Sequence, residues 1–318
     1  MEMNLNAKLA KTILEKISKS VKPVAFLMEI LQISRESAYR RIRGEIPFSV
    51  DELALLSREL KFSIDEIVVD NKSNHTFFDL SLIKTSGSSN EFSSLLQRYY
   101  THLKSMLEKN PEQTIVALNR VPPVFRVSFN TIFKFTYYEW LQHNSEISSD
   151  QHFSTVFVTP EIMAWQEKIR SVLLQFNHTT MIWDPNVFLS LIKDIQYYYQ
   201  RKLMSEEDVD LLKKEITAMI DLSEKTAKIG SLGNSKVHVY LSPLFINAST
   251  SYVRFDHTVK TFIWVFIANP IIVNNPEVCS LQKRWLYSLR RQSTLISQSN
   301  EIQQAEFFDR QREYLDQL

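Results

Sequence analysis

Residues 22–44 read KPVAFLMEILQISRESAYRRIRG and contain two short helical patterns joined at Gln32-Ile33-Ser34. In the second pattern, Ala38 and Ile42 form a narrow apolar seam four residues apart. The sequence therefore predicts two helices separated by a tight turn, of which only the second has a mostly polar surface. In the first pattern, the apolar side chains recur at helical spacing and comprise Phe26, Leu27, Ile30 and Leu31.

The second helix has recognisable ends. Ser34 occupies the position of an N-cap, because a serine hydroxyl can accept the free N–H groups of the first turn. Ser37, three residues later, stands where a capping box would have Glu. Gly44 is suited to end the helix, since glycine adopts the left-handed conformation that helix C-termini favour.

The outer face of this helix is basic and rich in hydrogen-bonding groups. Such a face beside a narrow apolar seam is typical of a helix that enters the major groove of double-stranded DNA. We expect Tyr39 and Arg40 to be central to base and phosphate contacts, and Arg41 and Arg43 to contact phosphates. The candidate DNA-binding residues are Ser34, Arg35, Glu36, Ser37, Tyr39, Arg40, Arg41 and Arg43.

The flanking sequence predicts three further helices. Residues 5–19 are amphipathic, and Ser49 with Glu52 forms a capping box that begins another helix. Residues 61–67 predict a last short helix that closes a five-helix bundle. The side chains expected to share one core are Leu9, Ile13, Ile17, Phe26, Leu27, Leu31, Leu53, Leu56 and Ile67.

The run ISRESAYRRIRGEIPFSVDELALLSRELKFSIDEI, residues 33–67, resembles the lambda-repressor-like (XRE-type) helix-turn-helix. In that family an IS…Y…R…G recognition helix precedes an S-x-D-E-L helix and an S-x-D-E-I end. The resemblance covers roughly residues 5–70 and implies a DNA-binding transcriptional regulator. Two positions depart from the pattern: Met28 stands where a small Ala is usual, and Gln32 where the turn usually has Gly.

Charge is unevenly distributed within this N-terminal region. The whole chain has a net charge of only +1. Residues 8–43, however, carry a net charge of +6, and residues 44–70 carry −5. Such a separation would orient a small domain on DNA, although chance clustering on a solvated surface would give the same counts.

The length of 318 residues indicates at least two domains. We expect a helix-turn-helix domain over residues 1–70, a linker and candidate first strand over 71–87, and a dimerisation or sensor domain over 88–318. The predicted fold is mainly α, with a five-helix bundle followed by a larger α+β domain that has a small antiparallel sheet. Helices are expected at 88–109, 128–142, 160–177, 184–201, 205–229, 277–291 and 301–318, and strands at 114–118, 236–241, 251–255 and 258–267.

Several classes of protein are disfavoured by composition. The single cysteine, Cys279, rules out a disulfide framework, and the seven histidines do not occur at metal-ligand spacing. The four glycines form no phosphate-binding or dinucleotide loop, so we expect no enzyme activity and no cofactor. Without a signal pattern or an apolar run of membrane-spanning length, the sequence predicts a cytoplasmic protein that does not contact membranes.

One polar segment in the C-terminal part is a candidate ligand or anion site. Two arginines and three hydroxyl side chains lie between two predicted helices, where they could surround an anion. Helix capping combined with surface salt bridges would explain the same residues. The cluster comprises Arg290, Arg291, Ser293, Thr294 and Ser297.

The sequence thus favours a transcriptional regulator that binds double-stranded DNA as a homodimer and responds to a small-molecule or protein signal. Dimerisation is expected because one short recognition helix reads few bases, and residues 205–229 or 301–318 would supply a symmetric contact. One alternative is a non-catalytic scaffold whose helical bundle binds a protein partner. Another is an enzyme with an appended DNA-binding domain.

Overall fold

The computed structural model describes residues 5–17, 21–60, 62, 64, 67, 78–80, 82, 91–255, 258–265 and 270–318. The chain divides into two compact units, Met1–Phe77 (unit 1) and Phe78–Leu318 (unit 2). Most of the region 71–87, expected to hold the linker and a candidate first strand, lies outside the described residues, which include only 78–80 and 82 of it.

Unit 1 is helical in its described part. The helix α2 is followed by Gln32-Ile33-Ser34 and then by α3, as the periodicity of residues 22–44 predicts. The expected helix over residues 61–67 lies largely outside the described residues. The four helices are α1 (Leu5–Lys16), α2 (Pro23–Leu31), α3 (Arg35–Ile42) and α4 (Val50–Leu60).

One apolar cluster holds these helices together. Leu27, Ala38 and Leu56 are fully buried, one each from α2, α3 and α4. All nine side chains expected to share the core belong to this cluster, which confirms that prediction. Burying one such leucine stabilises the fold by roughly 1.5–3 kcal/mol, so the apolar stripe of each helix fixes which face points inward.

Unit 2 contains eight helices and nine strands among the described residues. The helices are α5 (Glu91–Glu108), α6 (Pro123–Arg126), α7 (Asn130–His143), α8 (Pro160–Leu173), α9 (Leu189–Gln200), α10 (Glu206–Ile229), α11 (Pro276–Gln292) and α12 (Glu301–Asp316). The strands are β1 (Phe78–Asp79), β2 (Gln113–Leu118), β3 (Thr179–Trp183), β4 (Ser231–Leu232), β5 (Ser235–Leu241), β6 (Thr250–Arg254), β7 (Val259–Trp264), β8 (Pro270–Val273) and β9 (Thr294–Leu295).

The strands form one large mixed sheet in the order β1-β8-β7-β6-β2-β3-β5-β4, with β9 paired to β5. The strand β3 pairs in parallel with both β2 and β5, whereas the pairs β2–β6, β6–β7 and β7–β8 are antiparallel. The predicted α+β domain with a small antiparallel sheet is therefore wrong: unit 2 is a sizeable α/β unit. Its two parallel connections run through helices, as crossovers between parallel strands must.

The antiparallel sheet was predicted because the sequence did not reveal β3 as a strand. All five residues of Thr179–Trp183 are buried, so the strand does not show the alternation that marks a half-exposed strand. The helix predicted over residues 160–177 ends at Leu173, and the helix expected from Asp184 begins at Leu189. The missed strand pairs with both β2 and β5, and recognising it would have revealed the parallel centre of the sheet.

Both faces of the sheet are covered. Along β2, Ile115 and Ala117 pack in a cluster with side chains of α11, including Leu286. Leu118 belongs to the larger cluster on the other side, to which Phe308 of α12 also belongs. Alternate residues of a strand point to opposite faces, so β2 lies between two helical layers.

None of the helices in the described part of the chain is both long and apolar enough to cross a membrane.

Candidate functional site

The ends of α3 are capped as the sequence predicts. The Ser37 backbone N–H donates to Ser34 Oγ over 3.3 Å, which confirms the N-cap. At the other end, Gly44 has φ +73°, and its N–H donates to the Arg41 carbonyl. The Glu45 N–H donates to the Arg40 carbonyl, so the helix ends in a Schellman motif.

The turn before α3 uses a strained backbone. Gln32 has φ 53° and ψ 42°, in the left-handed region that favours glycine. Its side-chain amide donates to the Glu29 carbonyl over 2.7 Å, which satisfies an otherwise unpaired acceptor at the end of α2. The departure from the family pattern at this position therefore retains the left-handed turn without the glycine.

An ion pair joins α3 to α4. Arg41 Nη2 lies 2.8 Å from Glu52 Oε1, and Arg41 Nε donates to Glu52 Oε2 over 3.1 Å. Glu52 Oε2 also accepts the Ser49 N–H, and Ser49 Oγ accepts the Glu52 N–H, which confirms the capping box. The Arg41 guanidinium thus faces α4 rather than solvent, and its side chain is 14% exposed.

The other cationic side chains of α3 are exposed. Arg35 and Arg43 lie over the Tyr39 ring, with distances of 5.7 and 6.0 Å to its centroid. Arg40 and Arg43 also approach Glu45, at 3.5 and 3.6 Å. These exposed ion pairs are weak and leave the guanidinium groups available to a larger anion.

The structure brings most of the candidate DNA-binding residues to one surface. Arg35, Glu36, Tyr39, Arg40 and Arg43 line a shallow recess together with Glu45. Ser34 and Ser37 are occupied with capping and with the Arg41 side chain. Stacked guanidinium groups and a phenol on an exposed helix can contact phosphates and base edges.

The second candidate cluster is engaged within unit 2. Ser293 Oγ donates to the Leu289 carbonyl, and buried Ser297 Oγ accepts the Val239 N–H. Thr294 pairs with Leu241 in the β9–β5 ladder, and the Arg290 guanidinium lies 4.7 Å from the Tyr287 ring centroid. Arg291 is exposed. The two hydroxyls therefore cap and join secondary-structure elements.

A cavity of about 820 Å³ in unit 2 was not anticipated from the sequence. It lies where β2 ends, β6 begins and β7 ends. Aromatic side chains and helices α5 and α7 form much of its wall, and the loops after β2 and before β6 contribute polar groups. Its principal polar lining residues are Asn119, Arg120, Arg126, Thr136, Glu139, His143, Asn144, Asp194, Asn247 and Ser249.

Two arginines and two carboxyl groups form the charged part of this cavity. Arg126 Nη2 lies 3.4 Å from Glu139 Oε2, and these side chains are only 9% and 2% exposed. Arg120 Nη1 lies 3.5 Å from Asp194 Oδ2, with both side chains about one-third to one-half exposed. Each contact is long for a charge-assisted hydrogen bond, which is typically 2.7–2.9 Å.

Burial changes the acid–base behaviour of this group. Desolvation, with a smaller contribution from neighbouring Asp194, raises the pKa of Glu139 to about 8 despite the opposing effect of Arg126. Desolvation also raises the pKa of Asp194 and lowers that of Arg126. Glu139 is therefore protonated near neutral pH, and Asp194, which pairs with Arg120, is the carboxylate of this group.

The sequence carried one signal for this cavity. Glu139 stands between Tyr138 and Trp140 in an aromatic-rich helix, where a carboxyl group is difficult to bury without a partner. Its partner Arg126 comes from the preceding short helix α6. Only the fold reveals that Arg120 and Asp194 join them.

Within the described residues, no group of three or more His, Cys, Asp and Glu side chains is arranged to hold a metal ion. Cys279 is buried, and desolvation raises the pKa of its thiol. His238 is exposed on β5, while His257 lies outside the described residues. Comparison with protein-family models, curated proteins and solved structures found no match to this chain.

Proposed function

We propose that the chain is a cytoplasmic, sequence-specific DNA-binding transcriptional regulator that acts as a homodimer without enzyme activity. The observation that carries the proposal is the exposed face of α3. Arg35, Tyr39, Arg40 and Arg43 are presented on a helix that is capped at both ends and joined to α4. The resemblance of residues 33–67 to the XRE-type helix-turn-helix supports the same function.

The chemistry of this face suits DNA. Guanidinium groups bind phosphate oxygens and can read the O6 and N7 acceptors of guanine in the major groove. Arg40 is our candidate for base contact, because it projects from the exposed side of α3 and its contact with Glu45 is itself exposed. Arg35 and Arg43 flank Tyr39 and are assigned to phosphates. Arg41 acts by holding α3 against α4.

The proposed homodimer would use unit 2. The helices α10 and α12 pack against each other, and Arg312 of α12 pairs with Asp221 and Glu224 of α10. Leu211 and Ile229 of α10 remain exposed. They are about five helical turns apart on the same side, so α10 could supply a symmetric contact with a second copy.

The first experiment selects binding sequences from a random duplex library with the full-length chain and then compares variants. Arg40→Ala should weaken binding to the selected sequence by about 1–3 kcal/mol and relax preference at one base position. Arg58→Ala is the matched control, because Arg58 is an exposed arginine of α4 outside the recess. It should change affinity far less.

Salt dependence and assembly complete the test. Affinity should fall steeply as salt rises, because bound arginines displace counterions from phosphate. Sedimentation of the full-length chain should give a dimer without DNA. The proposal fails if no duplex is enriched, or if Arg40→Ala and the parent chain bind every duplex equally. Capture of a protein partner by the same α3 face, without DNA binding, would instead support the scaffold alternative.

A further inference from the structure

The unit 2 cavity has the size and composition of a small-molecule site. Such sites typically enclose roughly 300–1,000 Å³, and this cavity has about 820 Å³. Phe92, Phe133 and Trp140 form an aromatic part of the wall, in which Phe92 lies 5.2 Å from Trp140 between ring centroids. This part can bury an apolar group and exclude water from it.

The polar part of the wall is held by hydrogen bonds between two loops. Ser249 Oγ donates to Asn119 Oδ1 over 2.7 Å and accepts the Asn119 N–H. Asn119 Nδ2 also donates to the Asn247 carbonyl. Arg120, the next residue, is thereby placed at the end of β2 beside the cavity. The loop before β6 is fixed at the same time, so the polar wall is built before any ligand enters.

The two arginines have unused hydrogen-bonding capacity. A guanidinium group carries five N–H donors. In the described part of the chain, Arg126 donates one hydrogen bond, to Glu139, and Arg120 donates one, to Asp194. The Arg126 Nε has no partner among the described residues. Both arginines line the same cavity, so a ligand anion could replace or supplement their long contacts.

The charges around the cavity select the class of ligand. An ammonium group would be repelled by Arg120 and Arg126. A phosphate dianion would place a second negative charge beside Asp194. A carboxylate carries one negative charge and matches the planar fork of a guanidinium group. Because burial raises the Glu139 pKa to about 8, its protonated carboxyl adds no negative charge that would repel such a ligand near neutral pH.

We propose that this cavity binds a small organic carboxylate with an apolar body, with Arg120 and Arg126 receiving the carboxylate and the aromatic wall receiving the body. Binding does not depend on the proposed DNA function. Only the role of this ligand as the regulatory signal rests on that function.

The test uses isothermal titration of the full-length chain with benzoate, indole-3-acetate and octanoate. Each is paired with its neutral amide, and phenyl phosphate and benzylamine test the other charge classes. At least one carboxylate should bind with a Kd below about 1 mM, and its amide should bind at least about tenfold more weakly. Tryptophan fluorescence should also change, because Trp140 and Trp264 line the cavity.

The principal variant is Arg120→Gln, which leaves the most buried pair, Arg126 and Glu139, intact. It should weaken carboxylate binding by about tenfold or more. Arg254→Gln is the matched control, because Arg254 forms an ion pair with Glu112 at 2.9 Å, is similarly exposed and lies outside the cavity. This control should bind as the parent chain does. Near-ultraviolet circular dichroism checks that both variants fold.

Several results would overturn the proposal. One is that none of the three carboxylates binds. A second is that acids and amides bind equally, which would indicate an apolar pocket only. A third is that benzylamine or phenyl phosphate binds more tightly than every carboxylate. Loss of binding in both variants would place the ligand elsewhere. None of these results bears on DNA binding, so the two proposals fail separately.

Discussion

The two units each contain a glutamate paired with an arginine, but the two pairs differ in burial and in contact geometry. In unit 1, Arg41 and Glu52 make two contacts, of 2.8 and 3.1 Å, and their side chains are 14% and 15% exposed. In unit 2, Arg126 and Glu139 make one contact of 3.4 Å and are 9% and 2% exposed. The more deeply buried pair therefore has the poorer geometry.

This difference distinguishes an ion pair that joins two helices from one whose arginine is available to bind a ligand. The Arg41–Glu52 contact joins α3 to α4, and solvent near its edge limits the desolvation penalty. A deeply buried pair with one long contact cannot offset the removal of two charges from water. The protein accommodates this cost by protonating Glu139, as its raised pKa indicates. Arg126 is consequently available to a ligand anion.

The largest expected effect on stability comes from replacing either side chain of the buried pair Arg126–Glu139. Glu139→Leu should destabilise unit 2 by about 1.5–3 kcal/mol, because the charged Arg126 guanidinium loses its hydrogen-bond acceptor. Arg126→Leu should cost only about 1–2 kcal/mol, since Glu139 can remain protonated. Urea unfolding followed by tryptophan fluorescence measures unit 2 alone, because all five tryptophans lie in residues 140–285.

The control for this asymmetry is the exposed pair Arg254–Glu112, for which Arg254→Leu should cost at most about 1 kcal/mol. Equal costs for Glu139→Leu and Arg126→Leu would mean that Glu139 is ionised in the folded chain. Arg126 and Glu139 would then be an ion pair of the same kind as Arg41 and Glu52.

A second expected effect is that the free energy of unfolding of unit 2 depends on pH. Glu139 binds its proton more tightly when folded, so its stabilising contribution is complete below the unfolded pKa of 4.5 and disappears as pH rises through about 8. Arg120, Arg126, Asp194 and His143 are the charged and titratable groups around it. Between pH 6.5 and 8.5 the loss should be on the order of 2 kcal/mol.

The measurement is made above pH 6.5 because the titration of His102 changes the stability of unit 2 in the opposite direction below that pH. Burial lowers the pKa of His102 to about 4, so its contribution increases stability as pH rises from about 4 to 6.5. Above pH 6.5 the raised pKa of Glu139 lowers stability, and His102 no longer opposes this decrease. Urea unfolding of Glu139→Gln should show a flatter profile in that range, whereas the exposed control Glu112→Gln should retain the slope. An unchanged slope in Glu139→Gln would contradict the assignment.

A smaller effect tests the structural role of Arg41. Arg41→Met should destabilise the α3–α4 contact by about 1–2 kcal/mol, because both hydrogen bonds to Glu52 are lost. Arg40→Met, which removes only an exposed contact, should change stability by less than about 0.5 kcal/mol. Amide hydrogen exchange in α3 and α4 of the full-length chain measures both. Equal protection in the two variants would remove the distinction between these neighbouring arginines.

The smallest effects concern the two ends of the α3 region. Gln32→Gly should stabilise unit 1 by up to about 1 kcal/mol, because it relieves the left-handed backbone at φ 53°. Gly44→Ala should destabilise it by about 1 kcal/mol. A Cβ at Gly44 would lie 3.8 Å from the nearest atom of Ala7, so only the backbone is strained. Hydrogen exchange of the same helices should shift in opposite directions.

Features that depend on neighbouring residues were predictable from the sequence. The N-cap at Ser34 and the capping box of Ser49 and Glu52 both occur. The alternation of residues 236–241 gave a strand, and α10 ends at Gly230 with φ +71°. Each of these features depends on groups within a few residues, so the local sequence contains the cause.

The sheet and the cavity depend on distant residues. The parallel pairing of β3 with β2 and β5 brings together segments more than fifty residues apart, and the uniformly buried β3 has no alternating pattern to reveal it. Arg120 and Asp194 likewise lie 74 positions apart and meet beside Arg126 and Glu139 only in the folded unit. No local pattern encodes that meeting.

The sequence by itself determined the helix caps, the apolar stripes that build the unit 1 core, and the basic surface of α3. These follow from hydrogen bonds and side-chain periodicity over a few residues. The tertiary structure alone decided that Arg41 faces Glu52, that the sheet of unit 2 is mixed, and that two arginines and two carboxyl groups share a cavity. Those outcomes depend on which buried surfaces pack together and on the cost of removing charges from water.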